Sequence, residues 1–141
     1  MSAFDYCKNF KMREFECSCG CGSVKGVNER LLYALQYTRS LYGTSVNVIC
    51  GGRCKNKNGS LPNSIPNSDH LPDTEGITHA ADIQIPGHCE TLAKRKIIMK
   101  ELSKHPGFKY AYCNGAMLKS GKEMYGYSAP LMGKSIHVSF Y

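Results

Sequence analysis

Residues 80–86 read Ala-Ala-Asp-Ile-Gln-Ile-Pro, and the fold is decided there. Isoleucines two residues apart, closed by a proline, spell a short strand, and Asp82 sits near its start. Working outward, Ser-Ile-His-Val-Ser-Phe-Tyr (135–141), Lys-Tyr-Ala-Tyr-Cys-Asn (109–114) and Ser-Val-Asn-Val-Ile-Cys-Gly-Gly (45–52) supply three more strands. Helical spacing of Leu31, Leu32, Leu35 and Leu41, with Asn28 as a cap and Gly43 as a stop, predicts a helix over 28–42. A second helix runs through Ala93, Ile97, Ile98 and Leu102 and is stopped by Pro106-Gly107. Arg53 to Asn67, rich in Asn, Ser, Pro and Gly, reads as a loop, and a loop longer than about 12 residues in a compact domain tends to be functional. The stretch before the Cys-Ser-Cys-Gly-Cys-Gly-Ser turn reads as a short strand or loop, and no repeat or linker interrupts the chain. The expectation is an α+β fold: one domain over 1–141 with a largely antiparallel sheet and helices packed on it.

Composition allows such a domain. The chain has 141 residues, enough to hide roughly two thirds of the surface that the unfolded form exposes. Apolar residues make up 42% and charged residues 21%, the balance of an ordinary globular protein rather than a disordered one. Eighteen Lys and Arg against eleven Asp and Glu leave a net charge of +7, which favours encounter with anionic partners. Basic residues are scattered, and the one short run, Lys94-Arg95-Lys96, reads as a solvated helix face. No aromatics interleave with it, so specific nucleic-acid binding is not expected.

Three residues stand where a chemically active metal would need them. Catalytic zinc usually takes three ligands from His, Asp and Glu and keeps a fourth position for water. His70 ends Ser68-Asp69-His70, Asp82 lies in Ala80-Ala81-Asp82-Ile83, and His137 lies in Ile136-His137-Val138. A strand histidine between Ile and Val points away from both, so it can face a cleft while they pack. Taken singly, each is an ordinary loop or core residue.

Their surroundings add more. Phe10-Lys11, Glu14-Phe15, Cys17, Cys19-Gly20-Cys21-Gly22, the Leu31-Leu32 to Arg39 helix, and Gly52-Arg53-Cys54 with Asn58 precede those three pieces in order. From Phe10 to the C-terminus the chain resembles the zinc D-alanyl-D-alanine carboxypeptidases and L-alanyl-D-glutamate peptidases, including their small bacteriophage forms. The resemblance implies a hedgehog/D-Ala-D-Ala peptidase-like fold in a monomer, with zinc held by His70, Asp82 and His137. It implies a peptidoglycan stem peptide as substrate, with Arg53 gripping it and Ser68 as a polar neighbour of the metal. Arginine suits that task, because its planar fork binds a carboxylate through two hydrogen bonds.

The family pattern is broken in two places. The step from His70 to Asp82 is longer by about five residues and carries Asp73, Glu75 and His79. His79 is thus a rival ligand, although neighbours along a strand point to opposite faces. Relatives also carry an acid shortly before the last histidine or two residues after it, where this chain has Ser139. The nearest upstream acid, Glu123 in Lys-Ser-Gly-Lys-Glu-Met-Tyr-Gly, is the first candidate for the general base, with Glu75 and His79 behind it. Without that acid, a zinc-stabilised binding or structural protein on the same fold is the competing reading.

The eight cysteines divide. Cys17, Cys19, Cys21 and Cys54 suit either a structural metal or disulfides, although one-residue spacing is shorter than the usual ligand spacing. Cys7, Cys50, Cys89 and Cys113 are expected as small buried residues. The N-terminus shows no signal peptide, and nowhere do about 20 apolar residues run together as a membrane span requires. The expectation is a protein made in the cytoplasm that acts at the bacterial wall or periplasm, released by a holin or carried by a virion.

Overall fold

A computed structural model describes residues 2–61, 65–119 and 122–141. It confirms the α+β class. Strand β1 (Gly26–Val27) leads into helix α1 (Glu29–Tyr42), and β2 (Asn47–Cys50) precedes a short helix α2 (Lys55–Ser60). Then come β3 (Ile77–Thr78), β4 (Ala80–Gln84), α3 (Leu92–Ser103), β5 (Phe108–Cys113), β6 (Gly115–Lys119), β7 (Lys122–Tyr127) and β8 (Ile136–Phe140). Six strands form one antiparallel sheet in the order β2-β4-β8-β5-β6-β7, while β1 and β3 pair in parallel beside it.

Local chemistry explains α1 well. Asn28 Oδ1 accepts from the Leu31 amide at 3.1 Å, and Gly43, at φ +64°, closes the helix in a left-handed turn that few other residues tolerate. Leu31, Leu32 and Leu35 are fully buried, but Leu41, read as part of the apolar face, lies half in solvent. Helix α3 buries Ile98, Met99 and Leu102 and exposes Ile97. The basic run on α3 is solvated only in part: Lys94 is exposed and Lys96 half-buried. Arg95 is buried, and its guanidinium donates to the carbonyls of Cys89 at 2.9 Å and Asn114 at 3.3 Å.

The long loop is not wholly a loop, since α2 occupies Lys55–Ser60; its residues 62–64 lie outside the described ones. The glycine-containing stretch read as a loop around Glu123 is instead mostly strand, β6 and β7 in antiparallel pairing, with residues 120–121 outside the described ones. The N-terminal stretch forms two short 3-10 turns, Ala3–Asp5 and Met12–Glu14, rather than a strand.

Register gives the sheet two distinct faces. Ala81, Val138, Ala111, Leu118 and Glu123 align across β4, β8, β5, β6 and β7, and the apolar members join the core with Ile98 and Leu102 of α3. One residue along, Asp82, His137, Tyr112 and Met117 align in the same way and face the other side. The first row packs and the second lines a cleft.

Candidate metal centre

The cleft holds about 490 Å³ and is lined by Arg53, Ser68, Asp82, Tyr110, Tyr112, Tyr127 and His137, among others. Small-ligand clefts commonly have this size. Asp82 and His137 line the cleft, and His70, buried behind them, brings a third ligand atom to the same point. His137 Nδ1 lies 2.9 Å from Asp82 Oδ1, His70 Nε2 lies 3.1 Å from His137 Nδ1, and His70 Nε2 lies 3.3 Å from Asp82 Oδ1.

The outer nitrogen of each ring fixes what the inner one presents. His70 Nδ1 donates to the Gly51 carbonyl at 2.6 Å, which leaves a lone pair on Nε2. His137 Nε2 donates to Ser139 Oγ at 2.7 Å, which leaves a lone pair on Nδ1. Two lone pairs and a carboxylate therefore face one point, and only a proton or a cation placed there relieves their repulsion. Nitrogen and oxygen ligands at about 2.0 Å from a tetrahedral ion lie about 3.3 Å apart. The three observed edges are near that value, so the residues could hold a metal ion.

Electrostatics agree. Burial works against a charged imidazole at His70, yet the hydrogen bond to Asp82 outweighs it and pushes the pKa up to about 9. Burial likewise opposes charge on Asp82, but hydrogen bonds from His137 and His70 hold its pKa well below the usual carboxylate range. Burial keeps His137 neutral, its pKa lowered despite Asp82. Asp82 is thus held as a carboxylate against two imidazoles, an arrangement that a divalent ion could share.

Neighbouring side chains brace this point. Arg53 Nη2 donates to Ser68 Oγ at 3.2 Å, and the His70 amide donates to the same oxygen at 3.2 Å. Ser68 therefore ties the arginine to the loop that carries His70. Tyr112 stacks on the His137 ring with centroids 4.6 Å apart, and Tyr110 stacks at 5.3 Å. Burial raises both phenol pKa values, that of Tyr110 to about 12, so both stay neutral hydrogen-bonding groups. Asp69 binds Lys109 Nζ at 3.0 Å beside them.

Several sequence candidates lie elsewhere. His79 is held on both ring nitrogens, accepting from Asn28 Nδ2 at 3.2 Å and donating to Asp73 Oδ2 at 2.9 Å. Glu75 is exposed in the turn that Asp73 closes. Glu123 sits on the helix face of the sheet, 2.5 Å from Lys96 Nζ and 4.0 Å from Lys100 Nζ, on the opposite side from His137. None of the three lines the cleft.

Cys50, expected as a buried filler, stands beside the site instead. Its sulfur is 3.9 Å from His70 Nδ1 and it faces Asp82 across β2 and β4. Cys50, His70 and Asp82 form a group able to hold a metal ion. The Gly51 carbonyl already occupies Nδ1, however, so Nε2 with Asp82 and His137 is the tighter set. Alternation in Lys-Tyr-Ala-Tyr placed both tyrosines on one face, which was a legible signal for the aromatic wall.

No family model, curated protein or solved structure matches the chain. The site must therefore be judged on its geometry. A second metal-capable group lies outside the cleft, where Cys17, Cys19, Cys21 and Cys54 bring all four sulfurs within 4.8 Å of one another. Hydrogen bonds from Ser23 bring the Cys21 thiol down to about 6, while those it makes with Cys21 and Cys17 raise Cys19 to about 12. Cys7, Cys89 and Cys113 are buried as expected. Among the described residues no helix is long and apolar enough to cross a membrane.

Proposed function

We propose that the chain is a zinc-dependent peptidase that hydrolyses a peptidoglycan stem-peptide bond, D-alanyl-D-alanine or L-alanyl-D-glutamate, as a phage-type enzyme of wall lysis. The observation that carries this reading is the meeting of His70 Nε2 with Asp82 Oδ1 and His137 Nδ1, the last two lining a cleft that also holds Arg53. Two histidines and a carboxylate suit zinc, and three protein ligands leave a position open. When bound there, zinc would polarise the scissile carbonyl and make water nucleophilic at neutral pH.

The chain's own residues do the rest. Arg53, fixed by Ser68, meets a carboxylate of the stem peptide through its guanidinium fork. Tyr110, Tyr112 and Tyr127 wall the cleft and exclude water from one side of the substrate. Gly51 and Ser139 hold the two histidine rings in the tautomers that aim their lone pairs inward. In this reading the chain works as a monomer at the bacterial wall or periplasm, on the hedgehog-like variant of the α+β fold.

One observation favours a second reading, a zinc-stabilised binding protein without turnover. Among the described residues Asp82 is the sole carboxylate lining the cleft, so no acid stands there free to serve as general base. Incubation of the purified chain with isolated peptidoglycan separates the two. Hydrolysis predicts new amino groups, lost on chelation and in His137→Ala. Full activity in His70→Ala would sink the ligand assignment, and no release from any stem peptide would leave the binding reading.

A further inference from the structure

We infer that Cys17, Cys19, Cys21 and Cys54 form a second, closed metal site for a thiolate-preferring divalent ion such as zinc, and that this site locks the Arg53 turn onto the N-terminal segment. The sulfur positions distinguish such a site from disulfides. A sulfur in a disulfide has one partner at about 2.05 Å. Here Cys19 Sγ approaches both Cys17 Sγ, at 3.3 Å, and Cys54 Sγ, at 3.5 Å, and Cys21 lies within the same small volume. Four thiolates about 2.3 Å from a tetrahedral ion would stand about 3.8 Å apart. The sulfurs converge on a centre rather than sorting into pairs.

One-residue spacing, which argued against a metal on the sequence alone, is overcome by backbone conformation. Gly20 and Gly22 directly follow Cys19 and Cys21 and adopt φ of +76° and +74°, where a side chain would be strained. Two left-handed turns in quick succession bring Cys17, Cys19 and Cys21 back to one place. The backbone then supports negative sulfur. The Cys54 amide donates to Cys17 Sγ at 3.3 Å, and the Lys57 amide, in the first turn of α2, donates to Cys54 Sγ at 3.3 Å. Such donors stabilise thiolates, the form that binds metal.

The position of Cys54 gives the site its consequence. It follows Arg53 directly, while the Arg53 amide donates to the His70 carbonyl at 2.8 Å and the Gly52 amide donates to the Phe15 carbonyl at 2.7 Å. An ion shared by Cys54 and the 17–21 segment would therefore clamp the turn from its other side. Neither part of this inference depends on hydrolysis.

Cobalt substitution in the full chain tests it. His70→Ala/His137→Ala removes the cleft site, and this variant should still bind a single cobalt ion per chain with sulfur-to-metal charge-transfer absorption. Adding Cys19→Ser should weaken the band, because one of four bound sulfurs is lost, and adding Cys50→Ser should leave it unchanged. Absence of cobalt from the double histidine variant, or a band that follows Cys50 rather than Cys19, overturns the site. Should Cys19→Ser not fold, iodoacetamide labelling of the unmutated chain decides the matter. Zinc should slow alkylation of the four thiols at least about tenfold; equal rates, or a disulfide at Cys54, overturn the proposal. For the locking role, amide exchange at Gly52 and Arg53 should slow on loading, and unchanged exchange with the ion bound overturns that part.

Discussion

At the scale of single residues, the candidate metal centre depends on groups that would never touch an ion held there. Ser139 Oγ accepts from His137 Nε2 at 2.7 Å. Losing that acceptor frees the ring to turn and weakens its basicity. Ser139→Ala should therefore lower zinc affinity about 10- to 100-fold with the fold intact, measured by competition against a chromogenic chelator. Unchanged affinity would show that Tyr112 stacking alone orients the ring. Arg53 poses a separate question, because it binds Ser68 rather than any ligand atom. Arg53→Lys keeps the charge but loses the fork, so if the chain is the proposed peptidase, KM for a stem peptide should rise about tenfold while zinc content and kcat stay near normal. A fall in kcat alone would place Arg53 in the chemical step instead of in substrate anchoring.

Among the elements, pleat and register decide which side chains can cooperate. Glu123 pairs with Leu118, and that row faces α3, whereas His137 belongs to the row one residue away. If the proposed peptidase reading is right, Glu123→Gln should accordingly leave both zinc content and hydrolysis unchanged; loss of hydrolysis with zinc retained would contradict the register. The turn after β2 is equally constrained. A Cβ at Gly51 would run into the backbone of Phe15, and the Gly51 carbonyl holds His70. Gly51→Ala should destabilise the fold by about 1–3 kcal/mol in denaturant unfolding, and a smaller loss would mean that the N-terminal segment yields easily. These same elements show what the sequence could reveal. Helix α1 was legible because its cap, apolar spacing and terminal glycine are local signals, and His137 because alternation fixes direction within a strand. The β6–β7 hairpin was not, since its exposed strand β7 lacks apolar alternation and its glycine suggested a loop. Glu123 was misplaced for that reason. Cys50 joins the site only through pairing across strands, which no local pattern encodes, whereas Ser139 lies two residues after His137 on the same strand, where alternation alone puts both on one face.

For the whole molecule, one sheet serves two purposes: its inner face packs against the helices, and its outer face carries the ligand row. This division lets a chain of 141 residues keep a full core and still open a cleft of about 490 Å³. The whole chain carries a net charge of +7. If the substrate is part of an anionic wall, that charge acts before binding, by drawing the protein to the polymer. Such attraction is long-ranged and therefore sensitive to salt, since the screening length falls from about 10 Å at 0.1 M to about 3 Å at 1 M. Over that range, hydrolysis of intact walls should slow about tenfold or more, while kcat/KM on a small soluble stem peptide changes much less. Equal losses on both substrates would place the salt effect in the cleft, at Arg53. An unchanged rate on walls would mean that the basic surface does not guide the encounter, and that the cleft alone selects its substrate.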